Sequence, residues 1–485
     1  MKNFQMNMSV KQLVGLFVSI VSFFLLWFAP DGALGISNLT VVEQRVIAIF
    51  CFAALMWIFE SIPIWSTSVL TIVLLLLTVS DSGFKFMNAG YDPETLGVLV
   101  KHKSLMATFA DPIIMLFLGG FVLAIAATRC GIDAYIAKNL LAPFGTKSHF
   151  VMLGFILSTA IFSMFMSNTA TAAMMLAILA PVLRNAEGCN GAGKVGLTLA
   201  IPIAANVGGL GTPIGTPPNA IALKYLNDPD GLNLNIGFGE WMMFMVPFVF
   251  VLLAIVWFIL LKMFPFEQKR LEIKIESKLV WDRNTIITCI TFFVTVVLWM
   301  LDKVTGVNAN TVALIPLAIF TVTGVIRKED LKDISWDVLW LVAGGFALGV
   351  GLQETGLAKH LVESIPFGQW SPVLLIVASG LICCVVSTFI SNTATAALMM
   401  PILFTIGTSM EAELAAFGGV TTLLIGIAGS ASLAMALPIS TPPNALAHST
   451  GLTRQADMAK IGIIVGVIGL TLLYLLLLFL GKSLF

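Results

Sequence analysis

The sequence predicts an all-α polytopic membrane protein made of two inverted repeats, and three observations carry that prediction. Of 485 residues, 58% are hydrophobic and 11% charged, whereas an ordinary soluble domain has about 25% charged residues. Apolar runs of about 20 residues, the length that crosses a hydrocarbon core, recur along the whole chain. Two polar motifs, costly at membrane depth, each occur twice at nearly the same spacing.

The N-terminus is polar, with Lys2 and Lys11, and the apolar stretch from Leu13 to Pro30 has no small-residue cleavage site after it. It reads as a first membrane helix and not as a signal peptide. Further spans are expected near residues 44–60, 63–80, 111–129, 195–223, 238–262, 285–301, 310–326, 336–353, 417–448 and 460–480, eleven crossings in all. Two apolar stretches remain, 148–184 and 371–406, each broken at its middle by Ser-Asn-Thr. Each suits a re-entrant hairpin that enters and leaves by one side. The basic run from Lys269 to Arg283 reads as a cytoplasmic linker between the halves. With the N-terminus inside, 18 of the 26 lysines and arginines fall in cytoplasmic loops, as the positive-inside rule asks. The C-terminus then lies outside.

Lysine plus arginine equals aspartate plus glutamate at 26 each, so no bulk field draws nucleic acid to this chain. The polar stretches are too short for a catalytic or nucleic-acid-binding domain, and nothing suggests an enzyme. Cys51, Cys130, Cys189, Cys289, Cys383 and Cys384 lie mostly in apolar runs without C-x-x-C spacing. They read as small core residues, neither disulfides nor metal ligands.

Ser-Asn-Thr-Ala-Thr-Ala-Ala occurs at Ser167 to Ala173 and again at Ser391 to Ala397, an offset of 224. At an offset of 225, Thr216-Pro217-Pro218-Asn219-Ala220 recurs as Thr441-Pro442-Pro443-Asn444-Ala445, and Gly119-Gly120-Phe121 as Gly344-Gly345-Phe346. Five crossings separate the two hairpins, an odd number, so the copies approach the membrane from opposite sides. Inverted repeats with helices interrupted at matching positions are the architecture of secondary transporters, with the binding site at the interruptions.

No Asp, Glu, Lys or Arg occurs between Lys147 and Arg184, between Lys194 and Lys224, between Trp370 and Glu411, or from Leu414 to Thr453. The site is therefore expected to be built without formal charge. Each Ser-Asn-Thr tip offers hydroxyls, an amide and free backbone groups where one helix ends and the next begins. Helix N-termini suit an anion and C-terminal carbonyls a small hard cation. Each proline pair breaks a helix and leaves unwound backbone. The symmetric reading is two cation sites, one per half, flanking an anion with two negative ends. Bound cations would supply the positive charge that a desolvated dianion needs. Sodium is favoured because oxygen-only ligation suits hard cations.

Several residues carry plainer alternatives. Ser163 and Ser387, four residues before the tips, serve either as cation ligands or as hydroxyls bonded to the preceding helical turn. His448 has Leu223 as its counterpart, which favours packing over proton transfer. Glu60 suits an interface, and Asp111 and Asp337 suit helix starts.

These motifs make the chain resemble the divalent anion to sodium symporter family, the sodium-coupled di- and tricarboxylate transporters, over almost its whole length. The resemblance implies a homodimer of eleven-helix protomers working as an elevator. Scaffold helices would lie in 1–110 and 284–370, and 263–283 would be the linker. The transport domain would come from 111–262 and 371–485. It further implies a first sodium site from Ser163, Ser167, Asn168 and the backbone of Gly215, and a second from Ser387, Asn392 and the backbone of Ser440. Substrate carboxylates would meet Ser167, Asn168, Thr169, Thr216, Ser391, Asn392, Thr393, Thr441 and Pro442. The expected activity is sodium-coupled symport of C4-dicarboxylates such as succinate, malate and fumarate across a prokaryotic inner membrane. Sodium-independent exchange, citrate or sulfate transport on the same fold, and an anion channel are the competing readings.

Overall fold

The computed structural model describes residues 9–484 apart from 31, 34–35, 37–38, 186–190, 230, 272–278 and 365–369. Lys2, Cys189, Lys274 and Lys278 lie outside the described residues. The described chain is helical, with two isolated backbone bridges, Ser80 to Val100 and Lys147 to Arg270. Among the described residues, ten helices are long and apolar enough to cross a membrane: Val10–Trp27, Val41–Phe59, His102–Arg129, Ser148–Phe165, Ala192–Gly211, Phe238–Met263, Arg283–Met300, Trp336–Glu354, Pro372–Phe389 and Gln455–Phe479. An eleventh is added if Asn392–Ser409 and Glu411–Phe417, bent by 89°, count as one span. The protein is thus an integral membrane protein with ten or eleven candidate spans.

That set is not the predicted eleven. Residues 63–80 fold as Ile64–Thr78, 15 residues, roughly 22 Å long against a hydrocarbon core of about 30 Å. Residues 310–326 divide at Ala313 into Ala309–Val312 and Leu314–Thr323. Pro316 lacks the N–H that would bond residue 312, and its ring crowds that carbonyl. Residues 417–448 divide into Gly419–Ser432 and Pro442–Ser449. Ser148–Phe165 and Pro372–Phe389, the first arms of the predicted hairpins, are instead long enough to span. Apolar length alone cannot separate a span from one arm of a hairpin.

Local chemistry sets the helix ends. Thr40 and Glu43 form a reciprocal capping box at the start of Val41–Phe59. Asp111 caps Pro112–Arg129 by accepting from the Ile113 N–H at 2.9 Å. Glu60 is exposed and ends its helix in the left-handed region. Asp337 lies in the first turn of Trp336–Glu354, and His448 is exposed in the last turn of Pro442–Ser449. Cys51, Cys130, Cys289, Cys383 and Cys384 are free thiols.

The repeated glycine pairs mark close helix crossings. A side chain at Gly119 would strike the Ala313 carbonyl, and one at Gly344 would fall 2.5 Å from Ser68 Cβ. At the centre lie Ala192–Gly208 and Gly419–Ser432, buried over almost their whole length. The predicted linker does not run free. Leu271 N–H donates to the Thr146 carbonyl at 2.7 Å and Ser148 N–H to the Lys269 carbonyl at 3.1 Å. The polar run is thereby stitched to the start of Ser148–Phe165.

Candidate functional site

Each Ser-Asn-Thr sits where two helices meet. In the first half Ser148–Phe165 stops, Met166 and Ser167 bridge in extended conformation, and Asn168–Asn185 begins. In the second, Pro372–Phe389 stops, Ile390 and Ser391 bridge, and Asn392–Ser409 begins. Ser167 Oγ accepts from the Ala170 N–H at 3.2 Å, and Ser391 Oγ from the Ala394 N–H at 3.1 Å. The Ser167 and Ser391 hydroxyls are therefore helix caps. The next two backbone N–H groups, of Asn168 and Thr169 or of Asn392 and Thr393, have no partner among the described residues, nor do the two threonine hydroxyls. Each tip thus presents uncharged donors at a helix N-terminus.

Behind each tip lies a nest of oxygens. Ser163 Oγ is 2.6 Å from the Asn168 amide oxygen and 2.7 Å from the Ala205 carbonyl. The same end of the Asn168 amide lies 3.2 Å from the Ala205 carbonyl and 3.1 Å from that of Gly215. One hydroxyl proton cannot serve so many acceptors. Two arrangements relieve the crowding. The amide can turn so that its nitrogen donates to the carbonyls, or a hard cation can sit among the four oxygens. The second half repeats the serine's two contacts, with Ser387 Oγ 2.8 Å from Asn392 Oδ1 and 2.9 Å from the Ala431 carbonyl. Neither serine bonds back to its own preceding turn, and both are fully buried.

The proline pairs shape the broken helices. Ala192–Gly208, continued by a short 3-10 turn, stops before Thr212, and Pro217–Leu226 resumes. Gly419–Ser432 stops similarly before Pro442–Ser449. Asn219 Nδ2 donates to the carbonyls of Gly209, Leu210 and Thr212 at 3.1, 3.3 and 2.9 Å. Asn444 Nδ2 donates to those of Met435 and Leu437 at 2.8 and 3.0 Å. Each motif asparagine thus holds carbonyls of the turn that joins its two half-helices. The proline pairs also remove the first N–H groups of the resumed helices, so an anion arriving there meets threonine hydroxyls and not backbone amides.

The halves interlock. The helix after each Ser-Asn-Thr packs on the short resumed helix of the other half, Asn168–Asn185 on Pro442–Ser449 and Asn392–Ser409 on Pro217–Leu226. Of the expected residues, Ser163, Asn168 and Gly215 come together, as do Ser387 and Asn392. The Ser440 hydroxyl turns away to donate to the Thr388 carbonyl at 2.7 Å, leaving only its backbone for any ion. Thr216 and Thr441 are buried at the starts of the resumed helices, while Pro442 is exposed. The sequence reading missed three participants. Ala205 and Ala431 contribute only backbone oxygens, which no side chain announces. Asn206 was legible, as a lone amide inside the apolar run from Ile201 to Val207. A separate cavity of about 610 Å³, lined by Asp111, Lys224, Asp302 and Lys303 among others, includes none of the tip residues.

Oxygen-lined helix breaks inside a buried helical body are the binding-site architecture of secondary transporters. The chain belongs to the citrate transporter family, whose model matches residues 54–422, within the divalent anion to sodium symporters. It is 31% identical over 97% of its length to a sodium-dependent dicarboxylate transporter, SdcS, of Staphylococcus saprophyticus, of which 92% is covered. It is also 31% identical over 96% of its length to SdcS of Staphylococcus aureus strain USA300, covering 91% of that protein. Among solved structures it resembles MtrF of Neisseria gonorrhoeae, with a TM-score of 0.53 and 13% identity, over 85% of this chain and 94% of that one. YdaH of Alcanivorax borkumensis gives a TM-score of 0.54 at 12% identity, over 77% and 87%. These two likenesses concern the fold alone.

Proposed function

We propose that this protein carries C4-dicarboxylates across the membrane together with sodium. The observation that supports this most is the pair of oxygen nests, Ser163 with Asn168 and Ser387 with Asn392, each behind a tip of unpaired donors. The near full-length relation to the two sodium-dependent dicarboxylate transporters supports it from outside the structure. Sodium would enter the first nest through Ser163, Asn168 and the carbonyls of Ala205 and Gly215. It would enter the second through Ser387, Asn392, the Ala431 carbonyl and the backbone of Ser440. The substrate then lies between the tips, one carboxylate on Asn168 and Thr169, the other on Asn392 and Thr393, with Thr216 and Thr441 alongside.

Cation binding raises anion affinity because it restores positive charge that the protein itself does not supply. In this reading Ser148 to Asn185 and Pro372 to Ser409 are re-entrant hairpins in two inverted repeats of an eleven-helix protomer. They move with the broken helices as an elevator against a dimeric scaffold, with the N-terminus in the cytoplasm and the C-terminus outside. The name of the matching family model favours citrate as a competing substrate.

The test is uptake of labelled succinate into proteoliposomes under an inward sodium gradient, compared with choline at equal ionic strength. Uptake only with sodium is expected. Failure in both conditions, with recovery once unlabelled succinate is loaded inside, would place the protein among exchangers. Stronger competition by citrate than by malate would change the substrate class and leave the coupling intact.

A further inference from the structure

We propose that Asn206 is a positioning residue that fixes the hydroxyl proton of Thr441 so that it points away from Asn206 and Asn444 as a donor to a substrate carboxylate. This inference rests on the carrier reading above and deepens it. The argument begins from groups whose polarity is not adjustable. The Met435 and Leu437 carbonyls can only accept, so the nitrogen of the Asn444 amide must face them, at 2.8 and 3.0 Å. The Asn444 amide oxygen therefore faces the other way, toward Asn206. Only the Asn206 nitrogen can answer an oxygen there, at 3.3 Å. That nitrogen also lies 3.0 Å from Thr441 Oγ1, which must accept from it. The Asn444 N–H approaches the same oxygen at 3.4 Å.

Both lone pairs of the Thr441 hydroxyl are then engaged, and its proton has to leave in the remaining direction. Among the described residues nothing accepts that proton. Because Pro442 and Pro443 carry no N–H, this hydroxyl is the first donor at the start of its helix. Asn206 is 1% exposed, so no water competes freely for its donors.

The first half lacks the device. Ser163 and Ser387 donate to Ala205 and Ala431, which makes Ser432 the counterpart of Asn206. Ser432 Oγ is buried without a partner, as is Asn219 Oδ1. The Thr216 side chain accepts nothing from the Asn219 N–H. Thr216 thus keeps a rotatable hydroxyl where Thr441 has a fixed one. A dicarboxylate would meet one preset donor and one adjustable donor.

The test is binding of labelled succinate to purified protein in saturating sodium, with Asn206→Ser, Thr441→Val and the double variant. Asn206→Ser gives the second half the arrangement of the first. It is expected to weaken succinate binding about tenfold, the order of one charge-assisted hydrogen bond, with the sodium half-saturation unchanged. In the Thr441→Val background the same substitution should add nothing, because the hydroxyl it acts through is gone. Unchanged binding in Asn206→Ser, or an equal added loss on Thr441→Val, overturns the proposal while leaving the carrier reading in place. Absence of sodium-dependent succinate binding in the unaltered protein overturns both.

Discussion

In the first half the hydroxyl that ties the broken helix to the helix before Ser-Asn-Thr belongs to Thr212; in the second it belongs to Ser440, at the opposite end of the corresponding four-residue turn. Thr212 Oγ1 donates to the Met164 carbonyl and accepts from the Gly215 N–H at 3.1 Å. Ser440 Oγ donates to the Thr388 carbonyl at 2.7 Å and accepts from the Leu437 N–H at 3.0 Å. The duplicated halves have kept the bond and not the residue that makes it. Their exposure differs too. Thr169 at the first tip is exposed and Thr393 at the second is buried, whereas the turn at Ile439 is exposed and that at Ile214 is buried.

The largest expected effect treats the halves as equivalent. Asn168→Ala and Asn392→Ala should each abolish sodium-dependent uptake, since each removes the amide shared by a nest and a tip. Full activity in either variant would show that only one half holds an ion. Next comes Gly209→Ala, whose new Cβ would lie 2.6 Å from Asn168 Oδ1 and 3.0 Å from the Gly215 carbonyl. We expect the sodium half-saturation to rise by on the order of tenfold, as for other substitutions beside metal ligands. The second half carries side chains in the matching stretch, at Ala434 and Met435, so the same substitution has no analogue there. A sodium curve identical to that of the unaltered protein would remove the first nest from the mechanism.

Smaller effects probe the hydroxyl exchange. Thr212→Val leaves the buried Met164 carbonyl unpaired, and Ser440→Ala leaves the part-buried Thr388 carbonyl and Leu437 N–H unpaired; each should cost about 1–3 kcal/mol of stability, read by thermal unfolding. Moving the hydroxyl with Thr212→Val and Gly215→Ser together should not rescue the first half, because a side chain at Gly215 collides with the Gly209 carbonyl. Recovery of stability in that double variant would mean the two turns are interchangeable after all. The smallest effect belongs to Lys224→Met. Lys224 Nζ lies 2.7 Å from Asp111 Oδ2 and 3.8 Å from the centre of the Phe346 ring, and Ser449 takes its place in the second half. A loss of about 1 kcal/mol, shrinking as salt is raised, is expected for this partly exposed pair.

Much of this was legible because polar residues stand out in an apolar chain. Ser-Asn-Thr marked both tips to within a residue, and the paired prolines marked both broken helices. The glycine pairs of the repeat turned out to be close crossings, which spacing alone does not reveal. What escaped the sequence was carried by the backbone. The Ala205 and Ala431 carbonyls come from residues with no polar side chain, and the Thr212 to Ser440 exchange hides behind two positions that do not align. Two of the expected spans differ from a single long helix: Ile64–Thr78 is continuous but only 15 residues long, and the run through Ala313 divides in two.

The charge-free segments around the tips have a consequence for leakage. In the proposed carrier the empty site is neutral, and so is one holding a dianion with two sodium ions. A site holding two sodium ions alone is doubly positive, and one holding the anion alone is doubly negative. Carrying either through a low-dielectric barrier costs several kcal/mol per unpaired ion even after relaxation. Fidelity of coupling would then need no dedicated gate: half-loaded forms would stall because nothing in the protein neutralises them.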